Sequence, residues 1–182
     1  LRCLLPALRA LCAILLPSYR TRLDLRNLGA IFDVSDRAEV LVEGYEAELA
    51  AFLAGQPALE AVPRVFVYDS GEAVPFTSGQ YAMPNALIEA AGGTNIMNDI
   101  GKSWATVGWE AVVDRNPEVI VIVNYGEVTA EQKRDFMMSN PAFTDIDAVR
   151  NDRFVVLEYV EATPGPRNLV AVKTLAAAFR AE

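Results

Sequence analysis

EVIVIV, residues 118–123, decides the fold. Five consecutive β-branched apolar residues follow one glutamate. A half-exposed strand would alternate apolar with polar, so this run suits a parallel strand covered on both faces. Two shorter runs of the same kind flank it, RVFVY at 64–68 and RFVVL at 153–157. Helical signals fill the intervals. Pro84 opens a helix through Ala91 that Gly92 and Gly93 close. Trp109 to Arg115 reads as a short helix stopped by Asn116 and Pro117. Thr129 and Gln132 form a capping box for a helix to Met138, ended by Asn140 and Pro141. A last helix is expected over 164–179, with Leu169, Val172, Leu175, Ala176 and Phe179 facing inward. The stretches 69–83 and 95–107 read as loops. Strands alternating with helices predict an α/β fold of three layers with a mainly parallel sheet.

Ahead of these elements, Ala38, Leu41, Val42, Tyr45, Leu49, Phe52 and Leu53 recur at helical spacing. They predict one long amphipathic helix, capped by Asp33 and ended by Gly55 and Pro57. The segment before it, residues 1–24, stays unassigned. Arg2, Pro6 and Arg9 interrupt its apolar run, which makes a poor membrane span and a poor secretory or lipoprotein signal. Cys3 and Cys12 both lie there; on a helix they stand roughly 13 Å apart, too far for a bridge, and read as inert buried thiols.

The chain has 182 residues, of which 52% are hydrophobic and 22% charged, enough apolar material to fill a core. Its net charge is −8, and no run of Lys and Arg stands out, so nucleic acid is excluded as a partner. There is no histidine. That removes the commonest zinc ligand and the usual acid–base residue near neutral pH. No G-x-S-x-G elbow, phosphate-binding glycine loop or metal-ligand cluster occurs, and a non-enzymatic role is expected. Asp145 and Asp147 read as solvated acids in a turn.

In an open α/β sheet, ligands bind beyond the carboxyl ends of the strands. Three such segments carry unusual residues: 69–81 after the first strand, 124–126 after EVIVIV, and 158–167 after the third. Tyr81, Tyr125, Tyr159 and Arg167 are thereby expected at one edge of the sheet, joined by Trp104. Aromatic side chains suit a large planar ligand, and Arg167 suits a carboxylate or catecholate on it. The other reading of each aromatic is packing over the sheet.

These loops also carry a family pattern. Residues 65–93 (VFVYDSGEAVPFTSGQYAMPNALIEAAGG), 102–122 (KSWATVGWEAVVDRNPEVIVI) and 163–175 (TPGPRNLVAVKTL) resemble, in order, the second lobe of periplasmic receptors for iron complexes and vitamin B12. NLGAIFD at 27–33 and the helix after it resemble the family's joining helix, taken as residues 25–56, with the lobe at 57–182. The resemblance implies a substrate-binding component of an ABC importer, extracytoplasmic and membrane-associated in the full-length protein. Its ligand would be a ferric siderophore-like chelate, with haem or cobalamin as further members of the class. Its partners would be a permease and its ATPase. It further implies a docking acid, which falls on Glu110. Gly108 stands where the family usually has serine or threonine ahead of the aromatic–Glu pair. Nothing ahead of Leu25 matches a first lobe, so the chain reads as a truncated receptor. Two other readings remain: a small flavodoxin-like enzyme or regulatory domain binding an anionic metabolite, and a structural fragment that pairs with another lobe or subunit.

Overall fold

The computed structural model describes residues 22–181; the two cysteines and most of the unassigned segment lie outside them. A helix α1 over residues 22–31 leads into α2, Ser35–Ala54. The lobe follows as β1 (Arg64–Tyr68), β2 (Phe76–Ser78), α3 (Met83–Ala91), β3 (Thr94–Asn95), β4 (Trp104–Thr106) and α4 (Trp109–Arg115). It continues with β5 (Val119–Asn124), α5 (Ala130–Ser139), α6 (Asp147–Arg150), β6 (Phe154–Glu158), α7 (Tyr159–Ala162) and α8 (Asn168–Arg180).

The main sheet runs β3-β1-β5-β6 with every pair parallel. EVIVIV is thus a central strand, and Val119 to Val123 are all buried. Its odd-numbered side chains join Val65, Val67 and Leu157 against α3 and α8. Its even-numbered ones join Phe66 and Tyr68 against α4, α5 and α6. Three layers result, as the strand pattern predicts. Two small strands inside the expected loops, β2 and β4, pair antiparallel beside the main sheet. β3 adds a two-residue parallel edge. These short elements lack the apolar run that marks the longer strands.

The stretch expected as one joining helix is two. Asp33 does not cap α2; its φ is 56°, and it turns the chain between α1 and α2. Val34 takes the cap position without a side-chain bond. The helices fold back on each other, with Arg22 donating to Glu46 and Arg26 paired with Glu39. At their crossing, a Cβ on Gly29 would stand 2.5 Å from the Ala38 Cβ, so the backbones meet at a contact that only glycine permits. Ala38, Val42 and Leu49 are buried as expected, whereas Leu41 is exposed.

Three local expectations are corrected. Asp147 is not a free turn acid: it accepts from Asn116 and Arg150 at the start of α6. The last helix begins at Asn168, because residues 163–167 form a separate turn. Tyr159 to Ala162 are helical, capped by a reciprocal pair of Glu158 and Glu161.

Candidate functional site

The strand order places a topological switch point between β1 and β5. From β1 the chain crosses to the edge strand β3, then returns to β5 on the other side. Loops leaving the two central strands diverge there, and the crevice between them is where doubly wound sheets take ligands. Asp69 follows β1, Tyr125 follows β5, and Tyr159 follows β6.

These residues form one connected group. The Tyr125 hydroxyl donates to Asp69 Oδ2 at 2.6 Å, spanning the switch point. Ser70 Oγ donates to the same oxygen at 3.0 Å. The Tyr125 and Tyr159 rings lie 5.3 Å apart, tilted by 43°. Lys133 reaches in from α5: its Nζ donates to the Val123 carbonyl at 2.7 Å and sits 4.9 Å from the Tyr125 ring centroid. Below the rings, Asn124 donates to Glu158 at 2.9 Å and accepts from the Ala130 amide, tying β5, β6 and α5 together.

Electrostatics follow from this wiring. The Asp69 carboxylate, by accepting the phenol's hydrogen bond, raises the Tyr125 pKa, and burial adds to the effect. Burial lowers the Lys133 pKa, against the pull of Asp69. Tyr68, beneath the group, is pushed up to about 12 by burial and by Glu72.

Of the five residues expected at this edge, contacts unite two, Tyr125 and Tyr159. Tyr81 is 67% exposed in the turn ahead of α3. Trp104 stacks on Phe76 across the small antiparallel pair, 5.6 Å between centroids and 17° between planes. It is half-buried against the core, which is the packing role each aromatic also had open to it. Arg167 is exposed at the head of α8, on a turn that Asn168 holds through the Gly165 amide and the Glu161 and Thr163 carbonyls.

Glu110 is exposed in the first turn of α4. Trp109 beside it points the other way. Its indole donates to the Glu72 carbonyl at 2.6 Å and packs among Phe66, Tyr68, Phe136 and Phe143. That anchor fixes where Glu110 emerges. With Gly108 at the cap position, α4 has no side-chain cap.

Sequence reading missed Asp69 as an individual, along with Lys133 and Asn168. Lys133 carried a signal: with Ala130 and Met137 it falls on the inner face of α5, an odd place for a lysine. Asn168 carried none beyond its position at the start of a helix. Among the described residues, no three acidic, cysteine or histidine side chains gather closely enough to hold a metal ion. No described helix is long and apolar enough to cross a membrane.

A family model described as periplasmic binding protein matches residues 18–160. The chain belongs to the periplasmic binding protein family. Among solved structures, a periplasmic binding protein from Veillonella parvula is 33% identical with a TM-score of 0.78, covering 87% of this chain and 55% of its own. A periplasmic heme-binding protein from Roseiflexus is 26% identical with a TM-score of 0.77, covering 90% and 63%. An ABC-type Fe3+-hydroxamate transport protein from Saccharomonospora viridis, 24% identical with a TM-score of 0.76, covers 88% and 55% and shows the same fold. The chain therefore spans between half and two-thirds of the length of these periplasmic binding proteins.

Proposed function

We propose that this chain is the C-terminal substrate-binding lobe of an ABC importer's receptor, acting outside the cytoplasmic membrane on a ferric siderophore-like chelate. The observation that carries the reading is the aromatic and carboxylate group at the switch point, in a chain of this family. Tyr125 and Tyr159 present ring surface there, held by Asp69 and Lys133. Names of similar proteins, one heme-binding and one of Fe3+-hydroxamate transport, support a metal chelate as the cargo. As further ligand contacts we name Tyr81, Trp104 and Arg167, the last for an anionic portion of the ligand. Glu110 docks on the permease, which works with its ATPase; its exposure and the Trp109 anchor support that role. Residues 25–56 join this lobe, residues 57–182, to the rest of the receptor. A flavodoxin-like domain for an anionic metabolite fits less well, because the carboxylates of Asp69 and Glu158 stand at the ends of β1 and β6.

One wall of a cleft gives half the contacts of an enclosed site, so this chain alone binds weakly. Tryptophan fluorescence from Trp104 and Trp109 tests this, with a ferric trihydroxamate, haem and cobalamin as titrants. Quenching that saturates only at high chelate concentration, and that Tyr159→Ala abolishes, is the expected result. Indifference to all three titrants sinks the chelate reading, and tight binding by the lone chain sinks the one-wall reading. For Glu110, the Glu110→Arg chain is expected to bind nanodisc-embedded iron-complex permease and ATPase more weakly than the parent; equal retention removes the docking role.

A further inference from the structure

The Asp69–Tyr125 bond has a direction, and the direction selects a ligand group. A phenol and a carboxylate differ by about six units in ordinary pKa, so the shared proton stays on the phenol. Ionised, Asp69 can only accept, and it takes the hydroxyls of both Ser70 and Tyr125 on one oxygen. The single proton of Tyr125 is therefore committed inward, to a residue only 5% exposed. What the hydroxyl still offers is lone-pair density, made richer because donation to an anion polarises the oxygen. Two neighbours bear on the ring. Lys133, 2% exposed, holds it from one side, and the Tyr159 ring lies against it. Asn124 ties the neighbouring strand end in place, since its amide nitrogen donates to the Glu158 carboxylate and its carbonyl accepts from the Ala130 amide. Glu158 and Tyr125 are thus acceptors, on two adjacent strand ends.

We infer that the subsite at the switch point receives a hydrogen-bond donor of the ligand, an ammonium or another N–H or O–H group, with Asp69 as the positioning residue that fixes this polarity. The inference rests on the solute-binding reading above and sharpens it. The ligand places its proton-bearing, uncharged or cationic portion against Tyr125 and Glu158. A carboxylate or catecholate oxygen placed against the Tyr125 and Glu158 oxygens would there meet acceptors.

The test uses a diamagnetic gallium trihydroxamate ending in an ammonium group and its trimethylated counterpart, equal in charge but without an N–H. Binding to the whole chain is followed by NMR shifts of the tyrosine ring resonances. The ammonium chelate is expected to bind about tenfold tighter, a coupling typical of one charged hydrogen bond. Tyr125→Phe should cut the preference below threefold, and Asp69→Ala should do the same by freeing the phenol proton. Equal or tighter binding of the trimethylated chelate overturns the inference in favour of recognition by the rings alone. A second readout is independent of any ligand. Ultraviolet titration should show one tyrosine ionising at lower pH in Asp69→Ala than in the parent, and that tyrosine should vanish in Tyr125→Phe. An unchanged titration overturns the proton assignment even if chelates bind. Normal titration changes with no binding of either chelate would overturn the solute reading and, with it, the donor subsite.

Discussion

Two parts of this molecule expose large apolar or aromatic side chains, and they are organised in opposite ways. At the carboxyl edge of the sheet, Tyr125 is 39% exposed and Tyr159 52%, yet each ring has a partner and the first hydroxyl is bonded across two strands. At the tip of the α1–α2 hairpin, Ile31 and Phe32 are 72% and 69% exposed, and Val40 and Leu41 are 68% and 63% exposed farther along. Among the described residues, no ring contact or side-chain hydrogen bond holds these in place. The difference teaches what preorganisation looks like. Exposure alone marks surface that is greasy; exposure with fixed partners marks surface that can select.

The largest effect expected from this contrast is thermodynamic. Leu157, fully buried one residue before Glu158, lies in the core cluster of the strand that ends at the tyrosine edge. Leu157→Ala should cost about 2–5 kcal/mol in urea denaturation. Phe32→Ser, at the hairpin tip, should stay within about 0.5 kcal/mol. A large loss at Phe32 would mean the tip is packed in solution, and the comparison would fail.

A second effect concerns pH. The Tyr68 pKa rises in the fold from an ordinary value of about 10 to about 12. Its neutral form is the one the fold favours, so its contribution is complete below pH of about 10 and lost as pH climbs towards about 12. Stability of the parent should fall across that window more steeply than that of Tyr68→Phe, measured by denaturant midpoints at stepped pH. Parallel curves would show that the layer under the tyrosine edge is wetter than its burial indicates.

Smaller effects probe the helix starts that carry the edge. Thr129 accepts from the Gln132 amide at 3.2 Å and completes the capping box of α5, the helix that delivers Lys133. Thr129→Ala should cost about 1 kcal/mol. The smallest concerns Gly108, at the uncapped head of α4 with φ −77° and ψ 147°. Gly108→Ser should gain a few tenths of a kcal/mol as a cap, provided the Glu110 carboxylate, 2.7 Å from where the new Cβ would stand, swings aside. A loss would show that Glu110 is held more firmly than a surface side chain.

How much of this was readable in advance follows from the range of the forces involved. The three long strands were legible because burial on both faces demands an unbroken β-branched run, and EVIVIV has nothing else in it. The capping box at Thr129 was legible because its two partners lie three residues apart. β2, β3 and β4 were not, since strands of two or three residues are made by their neighbours more than by their own pattern. The α1–α2 turn escaped because an aspartate with positive φ looks like an aspartate at a cap. In the site, strand-end tyrosines were placed by the periodicity before them. Their partners Asp69 and Lys133 were not, because those contacts join positions 56 and 8 residues away in sequence from Tyr125, and only the sheet order brings the more distant one near.

The strand order also governs how the chain assembles. β1 lies inside the sheet, yet both its neighbours come later in the sequence, with Val65 pairing first to Asn95 and then to Val119. As the chain leaves the ribosome, the RVFVY segment thus waits with one edge open, and the other covered only by the two-residue β3, until β5 has been made. Such long-range parallel pairing is slow and leaves sticky edges bare in the meantime. Any ribosome stall or cleavage before residue 119 would release a fragment whose most apolar strand has only the two-residue β3 for company.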